Sequence, residues 1–159
     1  MTDAELTHLD ERGAARMVDV SGKQVTRREA VAECRVRMAP ATIAAIRESS
    51  LKKGDALQVA RIAAIMAAKR TPELIPLCHP LPITGVDVDF ELGEDSVRVE
   101  VSVRVSGQTG VEIEALTAAA VAGVTLIDMV KSMERGVVIE QVRLLHKAGG
   151  RSGEWNREG

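Results

Sequence analysis

Val86-Asp87-Val88-Asp89-Phe90-Glu91-Leu92, the turn Gly93-Glu94-Asp95-Ser96, and Val97-Arg98-Val99-Glu100-Val101-Ser102-Val103-Arg104-Val105 form one continuous stretch in which apolar and polar side chains alternate. Successive side chains of a strand point to opposite faces, so this period of two predicts a hairpin with one dry face and one wet face. A sheet of that kind is antiparallel and needs a cover for its dry face.

The rest of the chain supplies the cover. Upstream, from Ala30, residues Ala32, Cys34, Val36 and Met38 alternate with Glu33, Arg35 and Arg37 as a first strand. Pro40 suits the first turn of a helix that Ile43 and Ile46 carry to about Ser49, and Lys52-Lys53-Gly54 breaks it. Asp55 caps a second helix in which Leu57, Val59, Ala60, Ile62, Ala63, Ile65 and Met66 leave little polar surface. Residues 71–82 hold four of the five prolines and read as a stiff loop. A long helix is predicted from about Ile113 to Arg135, stopped by Gly136 in a left-handed C-terminal position, then a last strand from about Val137 to Leu145. The order strand, two helices, hairpin, helix, strand predicts an α+β fold: a ferredoxin-like antiparallel sheet with helices packed on one face.

A chain of 159 residues fits one domain: a mobile N-terminal arm over 1–25 with Met17-Val18-Asp19-Val20 as a docking segment, an α+β domain over 26–147, and a flexible tail over 148–159. Hydrophobic residues make up 45%, charged residues 28%, and the net charge is −2, which excludes a disordered chain and a polycation. Phe90 and Trp155 are the only aromatic residues, which leaves base stacking without platforms and argues against nucleic acid. Cys34 and Cys78 form no disulfide framework, and Met1 to Asp10 lacks the apolar run of a signal peptide. The uncharged stretch Ala115 to Ile127 is shorter than the ~20 residues that cross a bilayer. A cytoplasmic protein away from membranes is the expectation. Two helices apolar on most sides are hard to bury under one sheet, which predicts a homo-oligomer. The small residues Ala118, Ala119, Ala120, Ala122 and Gly123 serve either a close helix–helix contact or the fit of this helix onto its own sheet.

Chemistry concentrates in four places. Asp128 and Lys131, at i and i+3, suit acid/base work on an anion or form an ordinary surface ion pair. Glu112 and Glu114 open the same helix, either as ligands or as carboxylates favoured by the helix dipole. Glu114 and Asp128 lie fourteen residues apart on that helix, about 21 Å at its rise per residue, so one small group cannot touch both. His79 sits in the proline loop as a proton carrier or as a structural imidazole. Adjacent Cys78 and His79 do not make a zinc site, and no metal is expected. Basic clusters (Lys23, Arg27 and Arg28; Lys52 and Lys53; Lys69 and Arg70; Lys147 and Arg151 around Gly149-Gly150) suit phosphate oxygens or are solvated loop charge. The glycine pattern of a Walker loop is absent.

Lys53-Gly54-Asp55, Ile75-Pro76-Leu77-Cys78-His79-Pro80-Leu81, Gln108-Thr109-Gly110-Val111-Glu112-Ile113-Glu114-Ala115-Leu116-Thr117 and Asp128-Met129-Val130-Lys131, in this order, resemble the cyclic pyranopterin monophosphate synthase family, the molybdenum-cofactor accessory proteins C. Val142 to Gly150 and Met17 to Val20 extend the likeness to nearly the whole chain, with Ile113 where the family usually has methionine. The resemblance implies a lyase that converts (8S)-3′,8-cyclo-7,8-dihydroguanosine 5′-triphosphate to cyclic pyranopterin monophosphate and diphosphate. It implies Asp128, Lys131 and Lys53 as catalytic residues, and Leu77, Cys78, His79, Glu112, Ile113, Glu114, Lys147 and Arg28 as substrate contacts. It further implies a hexamer built as a trimer of dimers with intersubunit sites, and no required cofactor, with Mg²⁺ left open beside the triphosphate. The competing class is a non-catalytic ferredoxin-like ligand-binding module, in which Asp128 and Lys131 are only an ion pair.

Overall fold

A computed structural model describes residues 7–159. In chain order the elements are β1 (Thr26–Arg37), α1 (Pro40–Arg47), α2 (Ala56–Leu74), β2 (Ile83–Leu92), β3 (Ser96–Gly107), α3 (Glu112–Val130), β4 (Val138–Ala148) and β5 (Trp155–Asn156). The hairpin forms as its alternation dictates: Val88 pairs with Val101 and Phe90 with Val99, and Gly93 N–H closes the turn on Ser96 carbonyl at 2.8 Å. Val97, Val99, Val101 and Val103 are wholly buried.

The sheet order is β2-β3-β1-β4-β5 and every pairing is antiparallel. β1 lies between β3 and β4, so the crossover through α1 and α2 and the crossover through α3 interleave. That is the ferredoxin-like order, with helices on one face of the sheet. β5, a two-residue edge strand on β4, was not foreseen.

The helix ends show where local pattern yields to tertiary contacts. Asp55 Oδ1 accepts from Leu57 N–H and Gln58 N–H at 3.0 and 3.1 Å, the expected cap of α2. α2 then runs through Pro72 to Leu74, so residues 71–74, expected in the loop, are helical. Pro72 deprives the Ala68 carbonyl of a helical donor, but the buried Thr71 donates to Ala67 carbonyl at 2.9 Å and Ile75 N–H closes on Thr71 carbonyl at 2.9 Å. α1 has no cap of its own at Ala39; Glu134 supplies one, accepting from Ala39 N–H at 2.9 Å and Thr42 Oγ1 at 2.7 Å. That cap also corrects the expected end of α3. The helix stops at Val130, with Lys131 as C-cap, and Gly136 does not adopt the left-handed conformation. Glu134 must reach α1 and Val137 must reach the core, so the chain leaves the helix a turn early.

α3 packs across β1, β3 and β4, with α2 beside it. Ala118, Ala119 and Ala122 are wholly buried, and a Cβ on Gly123 would lie 2.7 Å from Cys34 Sγ and 3.1 Å from Ile139 Cδ1. Gly123 thus serves the fit of α3 onto its own sheet, and the alanines let α3 pack closely within the fold, against the sheet and α2. By length and composition α3 is apolar enough to cross a membrane, but half of that window is buried inside the fold. The outer side of the helix layer stays apolar: Ile62, Leu74 and Val124 are each 58% exposed, Met66 is 44% exposed, and a groove of about 360 Å³ runs between α2 and Val121. On the opposite, polar face of the sheet, the buried Glu33 accepts from Arg98 Nε at 2.5 Å, Arg143 Nε at 2.6 Å and Gln141 Nε2 at 3.0 Å. Burial would raise its pKa, but the hydrogen bonds from Arg143 and Arg98 hold it below the ordinary glutamate value.

Candidate active site

The C-terminal end of α3 carries the first cluster. Lys131 Nζ lies 2.7 Å from Asp128 Oδ1. Lys53 reaches the same carboxylate from the loop before α2, where Gly54 takes the left-handed conformation (φ 97°) that lets the chain turn. Its Nζ donates to Asp128 carbonyl at 2.8 Å and to Oδ2 at 3.2 Å. Hydrogen bonds and charge from Lys131, then Lys53, hold the Asp128 carboxyl below its ordinary range. Two ammonium groups on one carboxylate leave a unit of positive charge open to solvent, a place for an anion beside an ionised base.

The N-terminal end of α3 carries the second. A cavity of about 440 Å³ is walled by Leu77, Cys78, His79, Glu112, Ile113 and Glu114, with Val18, Val20 and Lys23 of the arm across from them. The stiff loop after α2 does hold its imidazole: His79 Nε2 lies 2.5 Å from Val18 carbonyl. A carbonyl can only accept, so Nε2 carries the hydrogen of this bond. Glu114 is 1% exposed, and its Oε1 accepts from Cys78 Sγ at 3.3 Å. Its Oε2 has no hydrogen-bond partner among the described residues. Burial raises its pKa, against its own backbone N–H and the Cys78 thiol, which lower it, and with the charge of Glu112 adding to the rise. Burial and the neighbouring Glu114 push the Cys78 thiol up to about 12, so it remains a thiol and a donor.

A second cavity of about 210 Å³ shares Lys23, Thr109, Gly110 and Glu112 with the first and adds Arg28, Gln108, Lys147 and Ser152. Arg28 is fixed by Nε donating to Gly107 carbonyl at 3.0 Å and Nη2 to Gln108 carbonyl at 3.1 Å. Lys147 bonds Ser152, across the turn at Gly149-Gly150, where both glycines have positive φ. A Cβ on Gly150 would fall on the Arg28 guanidinium.

The structure therefore gathers Leu77, Cys78, His79, Glu112, Ile113 and Glu114 in one cavity, Arg28 and Lys147 in its neighbour, and Lys53, Asp128 and Lys131 at the far end of α3. The last three stay apart from the rest within a protomer, about 21 Å along the helix. Gln108 and the Val18 carbonyl were not among the sequence candidates, and Lys23 was one only as a member of a basic cluster. Gln108 stood at the head of a motif, and Met17-Val18-Asp19-Val20 read as a docking segment, but nothing local says which residues the arm docks against. Among the described residues no three His, Cys, Asp or Glu side chains converge as a metal site.

A ferredoxin-like sheet with a carboxylate and two lysines at one end of its long helix, and a double cavity lined by cations and carboxylates at the other, defines an α+β protein with polar clusters at both ends of that helix. The model of the MoaC family matches residues 17–150. The chain is 58% identical to the cyclic pyranopterin monophosphate synthase of Thermomicrobium roseum, over 98% of this chain and 95% of that protein. It is 59% identical to the protein of that name from Parvibaculum lavamentivorans over 98% of each, and 56% identical to the one from Streptomyces coelicolor over 96% of this chain and 89% of the other. The chain belongs to the MoaC family.

Proposed function

We propose that this chain, an enzyme of the MoaC family, is a lyase that converts (8S)-3′,8-cyclo-7,8-dihydroguanosine 5′-triphosphate to cyclic pyranopterin monophosphate and diphosphate. Opening and closing rings around a guanine is proton-transfer work, and closing the cyclic phosphate forms one P–O bond while breaking the P–O bond to diphosphate. The observation that carries the reading is the contrast between two carboxyls: Asp128 is exposed and held by the Lys53 and Lys131 ammonium groups, whereas Glu114 is buried beside the Cys78 thiol with Oε2 unpartnered among the described residues. One suits a base and the other an acid. Lys53 and Lys131 neutralise charge beside Asp128, while Lys23, Arg28 and Lys147 suit the phosphates. Ile113, Leu77, Cys78, His79 and Glu112 shape the other end of the substrate. The reading requires no cofactor, with Mg²⁺ a companion of the triphosphate to be tested, and places the enzyme in the cytoplasm, where nucleoside triphosphates are held.

Two half-sites at opposite ends of one helix become a single site when a second copy packs antiparallel against the exposed apolar face of α2 and α3. Each Asp128 then approaches its partner's Glu114 end. This supports a homo-oligomer with shared sites, a trimer of dimers in the fullest form. The test is diphosphate release from the cyclised dihydroguanosine triphosphate, and no release from well-folded protein would sink the reading in favour of a binding module. Mixing Lys131→Ala with Glu114→Gln protein should restore about a quarter of wild-type activity, because half of randomly paired dimers then own one intact site. No recovery on mixing would confine the site to one chain.

A further inference from the structure

The cavity holding Arg28 and Lys147 owes its shape to a residue with no role so far. Gln108 leaves the end of β3 with its two ends turned to different segments. Its main-chain carbonyl accepts from Arg28 Nη2 at 3.1 Å, beside the bond from Arg28 Nε to Gly107 carbonyl. Its side-chain Nε2 donates to Lys23 carbonyl at 3.0 Å and Ser21 carbonyl at 3.3 Å. Those two acceptors belong to a small preformed turn, in which Lys23 N–H closes on Val20 carbonyl at 2.9 Å and Asp19 Oδ1 accepts from Ser21 N–H at 2.9 Å.

A pair of carbonyls asks for a group with two hydrogens and no negative charge, and a primary amide supplies that. A carboxylate at the same place would repel both oxygens. The arm is also tied by His79 on Val18 carbonyl, two residues before the turn, and by β1, which begins to pair at Thr26, so the Gln108 amide fixes the turn between these two anchors. One residue thus bonds the carriers of two cations, the Lys23 main chain through its side-chain amide and the Arg28 guanidinium through its main-chain carbonyl.

We infer that Gln108 is a positioning residue for anion binding: its amide docks the Lys23 turn at a fixed distance from Arg28, so that one polyphosphate meets both cations without ordering the arm. The inference rests on reading this cavity as the phosphate site. Ordering a flexible cationic segment at the moment of binding lowers affinity, and prior ordering recovers it.

The test is calorimetric titration of inorganic tripolyphosphate into the full-length oligomer. Wild-type protein should bind, Arg28→Ala should bind more weakly, and Gln108→Ala should lose about fivefold, the worth of an ordinary hydrogen bond. Gln108→Asn, which keeps the amide but shortens its reach, should fall with Gln108→Ala, and Gln108→Glu should fall further. Lys23→Ala combined with Gln108→Ala should bind no more weakly than Lys23→Ala alone, because the amide acts through Lys23. In turnover, Gln108→Ala should raise KM and leave kcat in place. If Arg28→Ala weakens binding but Gln108→Ala matches wild type, or if the Lys23 and Gln108 losses add in full, Gln108 has no positioning role and the phosphate cavity still stands. If Arg28→Ala binds as wild type, or nothing binds, the cavity is not the phosphate site and the inference falls with it.

Discussion

Asp128 accepts from two ammonium groups at once, and these decide where its proton goes. Its folded pKa is depressed, so the stabilisation from its ion pairs is present above the ordinary aspartate range and is lost as pH falls through the depressed value. Lys53→Ala and Lys131→Ala should each move the Asp128 carboxyl titration, followed by ¹³C NMR, back toward higher pH. Each should also cut turnover by about 10²- to 10⁴-fold with assembly intact, the usual span for a lost acid/base partner. A variant with near-normal turnover removes that lysine from the mechanism. From spacing alone Asp128 and Lys131 read more readily as a routine surface ion pair than as a catalytic one. What spacing hides is Lys53, 75 residues earlier, because its approach depends on how the loop before α2 lies against the end of α3. Glu114 is a similar case: its place near a helix start suggested a dipole role, whereas its burial beside Cys78 follows from where the proline loop packs.

At the scale of elements, period-two alternation made the hairpin and β1 readable, since each strand has one buried face. Asp55 made the start of α2 readable because the cap is local. The ends of α2 and α3 were not readable: α2 continues through Pro72 with Thr71 bonded back to Ala67, against the usual reading of a proline-rich stretch, and after α3 Glu134 turns to a distant partner on α1 that the local pattern does not reveal. Of the small residues of α3, ambiguous in sequence, Gly123 is resolved: it lies directly over Cys34 and Ile139. Gly123→Ala should therefore destabilise the fold by about 1–3 kcal/mol, the cost of overpacking a filled interior, despite the better helix propensity of alanine. Denaturant midpoints would show it, and adding Cys34→Ala should recover part of the loss. An unchanged midpoint would mean that α3 has room to move off the sheet.

For the whole molecule, the order of elements yielded the ferredoxin-like topology, and the apolar share of the two long helices pointed to a partner surface. Ile62, Met66, Leu74 and Val124 keep that surface apolar after folding. Under the proposed shared site, Met66→Glu should weaken self-association by about tenfold or more, read by light scattering, and turnover should fall in proportion while circular dichroism is unchanged. Full activity from a monomeric variant would place every needed residue in one chain. The sequence did not reveal that both outlying segments come to the same cavity, the Lys23 turn from one side and the Lys147–Ser152 turn from the other, since each is short, polar and without period. Because the second of these turns leads into β5, Trp155 stands opposite Lys147, with the Arg157 guanidinium 5.5 Å from its ring centre. The chain has one tryptophan and no tyrosine, so its ultraviolet emission comes from this ring. The protein carries an optical reporter across the strands from Lys147, one of the residues lining that cavity, and light from one native side chain can follow changes at this edge of the sheet without a dye or a label.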